Sequence, residues 1–210
     1  AGTDTADYSA ATAGVTVNLT AGTATGGAGD DTLSNTENVT GSGFDDALTG
    51  NAGVNVLLGG AGDDTLAGLA GNDTLNAGAG TDTADYGAST AAVTVNLSTG
   101  TATGGAGTDA LTGIENVTGS AFADTLTGDA GDNVLVGGAG SDSLAGLAGN
   151  DTLDGGAGTD TADYSAAAAA VTVSLTAGTA TGGADSDTLT NIENVTGSGF
   201  TDTLTGDANA

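Results

Sequence analysis

Lysine, arginine and histidine are absent from all 210 residues, so no internal cation balances the 27 acidic side chains and the formal net charge is −27. Cysteine, methionine, proline, tryptophan and glutamine are missing too, and three tyrosines with three phenylalanines are the whole aromatic content. These absences exclude entire chemistries. Without histidine, cysteine or lysine there is no Ser-His or Cys-His nucleophile, no Schiff base and no soft-metal site. Carboxylates alone remain, and pairs such as Asp30-Asp31 and Asp63-Asp64 recur uniformly with no predicted cleft, so no enzymatic activity is expected. A polyanion without Lys or Arg has nothing to displace counterions from phosphates, which excludes nucleic acid as a partner. The longest apolar run, residues 166–171, is far short of the ~20 residues of a membrane helix, so no transmembrane segment is expected. No charged region followed by an apolar stretch marks a leader. Without an initiator methionine, the chain reads as an excerpt or a processed piece.

What the chain does contain is order. Few aromatics and high net charge ordinarily leave a polypeptide disordered, yet the string GTDTADY begins at Gly2, Gly80 and Gly158, and NVTGSGF or NVTGSAF begins at Asn38, Asn116 and Asn194. Both recur every 78 residues. A fixed long period marks a repeat architecture, read here as one continuous domain, 1–210, with units 1–78, 79–156 and a partial 157–210.

Within each unit the residues fall into nines. From Gly41 they run GSGFDDALT, GNAGVNVLL, GGAGDDTLA, GLAGNDTLN and AGAGTDTAD; an 18-residue row (86–103), the nonamer GGAGTDALT and a six-residue row GIENVT follow. Position 6 is Asp4, Asp31, Asp46, Asp64, Asp73, Asp82, Asp109, Asp124, Asp142, Asp151, Asp160, Asp187 and Asp202, broken only by Asn55 and Asn133. A merely solvated acidic surface needs no such phase. The glycine-rich first six residues predict a turn, because glycine enters positive φ freely and lets carbonyls crowd together. The last three, as in Thr65-Leu66-Ala67, predict a short strand with its middle side chain inward. Two nonamers then make a coil of 18 residues, and coils stack by parallel pairing into an all-β solenoid with a thin Leu/Val core. Asp46, Asp64 and Asp82 fall in one column and Asn55 and Asp73 in the opposite one; Asp124, Asp142 and Asp160 face Asn133 and Asp151 in the same way.

Stacked carboxylates about 4.8 Å apart repel unless a cation lies between them, and this chain supplies none. Carboxylates with converging carbonyls form a flexible all-oxygen cage of six to eight ligands, which suits Ca²⁺ better than the tight octahedron of Mg²⁺. Two buried leucines per coil recover little of the entropy lost in ordering so many glycines. Multiple calcium ions, held by the fifteen position-6 residues named above, are therefore the expected condition for folding.

The segments GGAGDDTLA (Gly59 to Ala67) and GLAGNDTLN (Gly68 to Asn76) resemble the GGxGxDxUx nonapeptide of the RTX, or haemolysin-type calcium-binding, repeat family. The resemblance implies a right-handed parallel β-roll in which turn carbonyls and the sixth-position Asp bind Ca²⁺ between adjacent coils. It covers the nonamers in register, and does not extend to the 18-residue row or to GIENVT.

Those interrupting rows need their own reading. Val93 to Leu97 alternates with period two and predicts a longer strand. Tyr8, Tyr86 and Tyr164 open the long row, and Phe44, Phe122 and Phe200 sit in the turn after the short one; both sets are expected to pack or cap coils. Glu37, Glu115 and Glu193 read first as solvent-facing strand residues and second as metal ligands, and Asp7, Asp85 and Asp163 as extra ligands or exposed groups. Counting the 18-residue row as two half-turns and the six-residue row as one gives nine half-turns per unit, an odd number, so the acidic column should change walls from one unit to the next.

Two classes of function follow. The first is a calcium-rigidified extracellular structural rod, a segment of a bacterial surface filament, surface layer or adhesin stalk. Near-identical long repeats suit uniform extension, and the lack of Lys and Arg denies trypsin-like proteases a cleavage site. Because the excerpt starts and stops inside its pattern rather than at capping repeats, self-association or head-to-tail continuation is expected. The second, which the resemblance implies, is the calcium-triggered folding and export module of a type I-secreted hydrolase or toxin. Either places the chain outside a bacterial cell. An ice- or mineral-binding face, suggested by Thr125 to Thr127 and Thr203 to Thr205, is a third reading, weakened by Ala and Asp in the flanking columns.

Overall fold

Most nonamers end with one apolar side chain between two small or polar ones, and this alternation lays down a three-residue strand such as Thr65–Ala67, with Leu66 inward. In the computed structural model, which describes residues 2–27, 29–183 and 185–208, such strands build two large sheets of 11 and 13 strands and a small sheet of two. No helix occurs among the described residues, so none is long and apolar enough to cross a membrane.

Most strands pair in parallel with a partner 18 residues away. Asn38, Val56 and Thr74 are successive partners in the first sheet; Ala47, Thr65 and Thr83 are successive partners in the second. Outside the long rows and the nonamers that follow them, the chain steps from one wall to the other at each nonamer. Eight of the nonamer strands send a leucine between the walls: Leu57, Leu75, Leu126 and Leu144 from the first, Leu48, Leu66, Leu135 and Leu153 from the second, all 1% exposed or less. The core is thus a double file of leucines, as thin as expected.

The 18-residue row departs from expectation. It does not cross the core twice. Val93–Asn96 pairs antiparallel with Thr101–Gly104, which pairs antiparallel with Gly107–Thr112, so row and following nonamer form a three-stranded meander inside one wall. Val15–Asn18, Thr23–Gly26 and Asp31–Thr32 repeat this arrangement, as do Val171–Ser174, Thr179–Gly182 and Asp185–Thr190. The reason is local. The segments VTVN and TATG alternate with period two and are joined by a tight turn, where Asn96 Oδ1 accepts the Thr99 N–H at 2.9 Å and Gly100 takes a φ of 63°. The hairpin closes before the chain reaches the other wall. The six-residue turn expected in GGAGTDALT is replaced by strand, so Asp31, Asp109 and Asp187 lie in strands rather than in turns.

This lowers the expected nine half-turns to seven wall-to-wall steps between Thr5–Asp7 and Thr83–Asp85. Seven is also odd. Thr5–Asp7 and Thr161–Asp163 lie in the 11-stranded sheet and Thr83–Asp85 in the 13-stranded one, while Val15–Asn18, Val93–Asn96 and Val171–Ser174 alternate in the opposite sense. Residues 78 apart therefore occupy opposite walls. Each meander adds two more strands to one wall than a plain coil would, and successive meanders do so on alternate walls.

Candidate metal-binding corners

The residue immediately before each inner strand turns its carboxylate back along the solenoid. Asp64 Oδ1 accepts the N–H of Asp46 at 2.8 Å, Asp82 Oδ1 that of Asp64 at 2.7 Å, and on the opposite edge Asp73 Oδ1 accepts that of Asn55 at 2.8 Å. The pattern recurs with Asp142 and Asp160 on one edge and Asp151 on the other. Every such bond ties a coil to its neighbour through a side chain. A second ladder runs outside it in the opposite sense: Asp45 Oδ1 accepts the N–H of Asp63, and Asp63 Oδ1 that of Thr81.

The inner ladder uses only one oxygen of each carboxylate. The other, Oδ2, is buried without a hydrogen-bond donor in Asp64, Asp73, Asp82, Asp142, Asp151 and Asp160. Burial, opposed by the backbone hydrogen bond and reinforced by neighbouring carboxylates, raises the pKa of Asp64 to about 7 and those of Asp73 and Asp151 to about 6; Asp82, Asp142 and Asp160 shift upward for the same leading reason. Glycine at position 1 makes room for the oxygen. A Cβ on Gly59 would collide with both Asp64 Oδ2 and the Ala77 carbonyl oxygen; one on Gly137 would meet Asp142 Oδ2 and the Gly155 carbonyl oxygen. At these corners a carboxylate oxygen and a carbonyl of the next coil flank the same small space.

Among the described residues, no three acidic side chains converge on one point. An ion at such a corner would draw its charge from one or two carboxylates and its remaining oxygens from backbone carbonyls such as those of Ala77 and Gly155. This hard, all-oxygen, modestly charged donor set fits Ca²⁺. A bound ion would supply the positive charge that the buried oxygens lack.

The other sequence-predicted residues are placed differently. Asp46 and Asp124 are buried, but their carboxylates are engaged by Ser42 and Ser120 and by the N–H groups of Val15 and Val93. Asp109 and Asp187 receive the phenols of Tyr86 and Tyr164, and burial, reinforced by the neighbouring Asp31, raises the pKa of Tyr8. Asn55 and Asn133 accept the N–H groups of Asn51 and Asp129, and donate to the carbonyls of Glu37 and Glu115. Asp4 is exposed, and Asp202 bonds with Ser198 and Val171.

Glu193 is exposed, as expected, and Glu37 and Glu115 are half-buried, but all three stand just before a strand rather than in one. Glu37, Glu115 and Glu193 complete the inner columns, their Oε2 atoms accepting the N–H of Asp4, Asp82 and Asp160 at 2.8–2.9 Å. The signal was in the sequence: each glutamate stands directly before an Asn-Val-Thr strand, just as position 6 stands before Thr-Leu-Ala. Asp7, Asp85 and Asp163 cap the following turns through Ser9, Gly87 and Ser165. The tyrosines are buried as expected, but Phe44, Phe122 and Phe200 are 43–57% exposed and do not cap the core.

No curated protein matches the chain. The RTX calcium-binding nonapeptide repeat (4 copies) matches residues 23–37, 34–66, 58–89, 109–144 and 136–166, together more than half of the sequence. The chain belongs to the RTX calcium-binding nonapeptide repeat family, whose repeats bind multiple Ca²⁺ ions.

Proposed function

We propose that residues 1–210 form one continuous calcium-rigidified solenoid, built from the 78-residue units, that serves as a segment of an extracellular bacterial rod such as a surface filament, surface layer or adhesin stalk. The observation that carries the reading is the set of six buried, donorless carboxylate oxygens at the corners between coils. Calcium held there by Asp64, Asp73, Asp82, Asp142, Asp151 and Asp160 with neighbouring carbonyls turns repulsion between coils into cohesion. Alternation of the meanders between walls supports extension, because the added strands do not accumulate on one side. A chain free of Lys and Arg suits an environment rich in proteases.

The test is circular dichroism during calcium titration, paired with small-angle scattering. The expected result is disorder in chelator, strand signal with an elongated particle on adding calcium, and little rescue by equal magnesium. A fold indifferent to chelation would overturn the calcium role. A compact particle would overturn the rod and favour the export module of a type I-secreted protein, a reading that family membership also supports.

A further inference from the structure

The six donorless oxygens define, by contrast, a second kind of corner. Where the parallel coils meet a meander, a protein donor is aimed at the carboxylate instead. Tyr86 Oη donates to Asp109 Oδ2 at 3.1 Å and Tyr164 Oη to Asp187 Oδ2 at 2.8 Å; both acids also accept a backbone N–H, from Asp73 and Asp151. At Asp46 and Asp124 the donors are the N–H and hydroxyl groups of Ser42 and Ser120.

Ligand supply explains why these corners differ. A calcium cage of six to eight oxygens draws carbonyls from two stacked glycine-rich turns. At a meander one of those turns is missing, because its residues have become strand, and the smaller set of carbonyls holds an ion weakly enough for a protein donor to take its place at the buried carboxylate. A hydroxyl does so without an ion. The tyrosine pairs are also shielded. Leu147, held at a φ of 78° that favours glycine, lines a small pocket with Tyr164 and Asp187, and Leu69, 78 residues earlier in the sequence, has the same kind of backbone at 72°.

We infer that Tyr86 and Tyr164, with Ser42 and Ser120, are metal-excluding plugs: their donors take the place of calcium at each joint between coil and meander, and so confine the ions to short blocks of three carboxylates. This rests on the calcium reading above. It makes Asp109 and Asp187 acids of the inner column that hold no ion, although they occupy the same phase of the repeat as Asp64 and Asp142.

The test counts bound ions by native mass spectrometry at saturating calcium, with circular dichroism to verify the fold. Asp109→Asn and Asp187→Asn should retain the parent number, whereas Asp64→Asn and Asp142→Asn should each lose at least one ion. Loss of an ion from Asp109→Asn or Asp187→Asn overturns the plugs. If Asp64→Asn and Asp142→Asn also lose none, the calcium assignment itself fails, and the two failures are distinguishable. Where an Asn variant does not fold, Tyr86→Phe and Tyr164→Phe decide. Each removes the donor while keeping the ring, so the count should rise by one; an unchanged or lower count overturns the proposal.

Discussion

At the scale of the residue, an acid and a glycine act as one device. At Asp64 the position-6 carboxylate turns into space left open by Gly59, five residues before it in sequence and beside it in space. Gly59→Ala should therefore act on calcium without touching a charge. Its methyl would meet Asp64 Oδ2 and the Ala77 carbonyl oxygen. The expected outcome is a destabilisation of about 1–3 kcal/mol in calcium-loaded protein, read from urea melts, with a weaker calcium midpoint. The phase of the aspartates was legible in the sequence, because a nine-residue period survives without any knowledge of packing. Which aspartates lack a donor was not. Asp64 and Asp109 share a position in the repeat, and only the fold brings Tyr86 to one of them across 23 residues.

At the scale of the element, stability should concentrate in the leucine file. Leu144 is fully buried between partners Leu126 and Ala162, so Leu144→Ala removes a link that no neighbour can replace. A loss of about 2–5 kcal/mol is expected. Val54 is 66% exposed, and Val54→Ala should change stability by about 0.5 kcal/mol or less; chemical denaturation of the calcium-loaded variants checks both. Three-residue strands were readable from alternation. The meander was not, because VTVN and TATG are each consistent with a half-turn, and the choice between crossing the core and folding back rests on a turn closed by Asn96 and Gly100.

At the scale of the whole molecule, charge governs the response to pH. In metal-free protein Asp64 titrates at about 7 and Asp73 and Asp151 at about 6, all raised by burial above the ordinary 3.8 of an unfolded chain. The folded state then binds more protons than the unfolded state, so stability is greatest below the unfolded pKa and is lost as pH rises through 6 to 7. Protonation also relieves the general repulsion of a chain with net charge −27. Metal-free protein is accordingly expected to show more strand signal at about pH 4.5 than at about pH 7.5. Calcium needs the ionised carboxylates, so the loaded protein should show the opposite trend. Melting curves by circular dichroism, with chelator and with calcium, check both; equal stability at the two pH values in chelator would contradict the burial of these groups.

The amino-acid sequence alone determined the repeat, the all-β solenoid, the leucine file and the expectation of a bound cation, since each follows from periodicity and from a charge that has no partner in the chain. It also determined the change of walls between units, because the number of half-turns is odd whether it is nine or seven. Tertiary structure decided what depends on distance through space rather than along the chain. The long row folds back on itself, the glutamates join the inner columns, and tyrosine and serine donors reach some carboxylates and leave others bare. Hydrogen bonds between residues 23 to 36 positions apart have no period of their own in the sequence, and the tyrosine bonds among them separate Asp109 and Asp187 from the acids whose second oxygen has no donor.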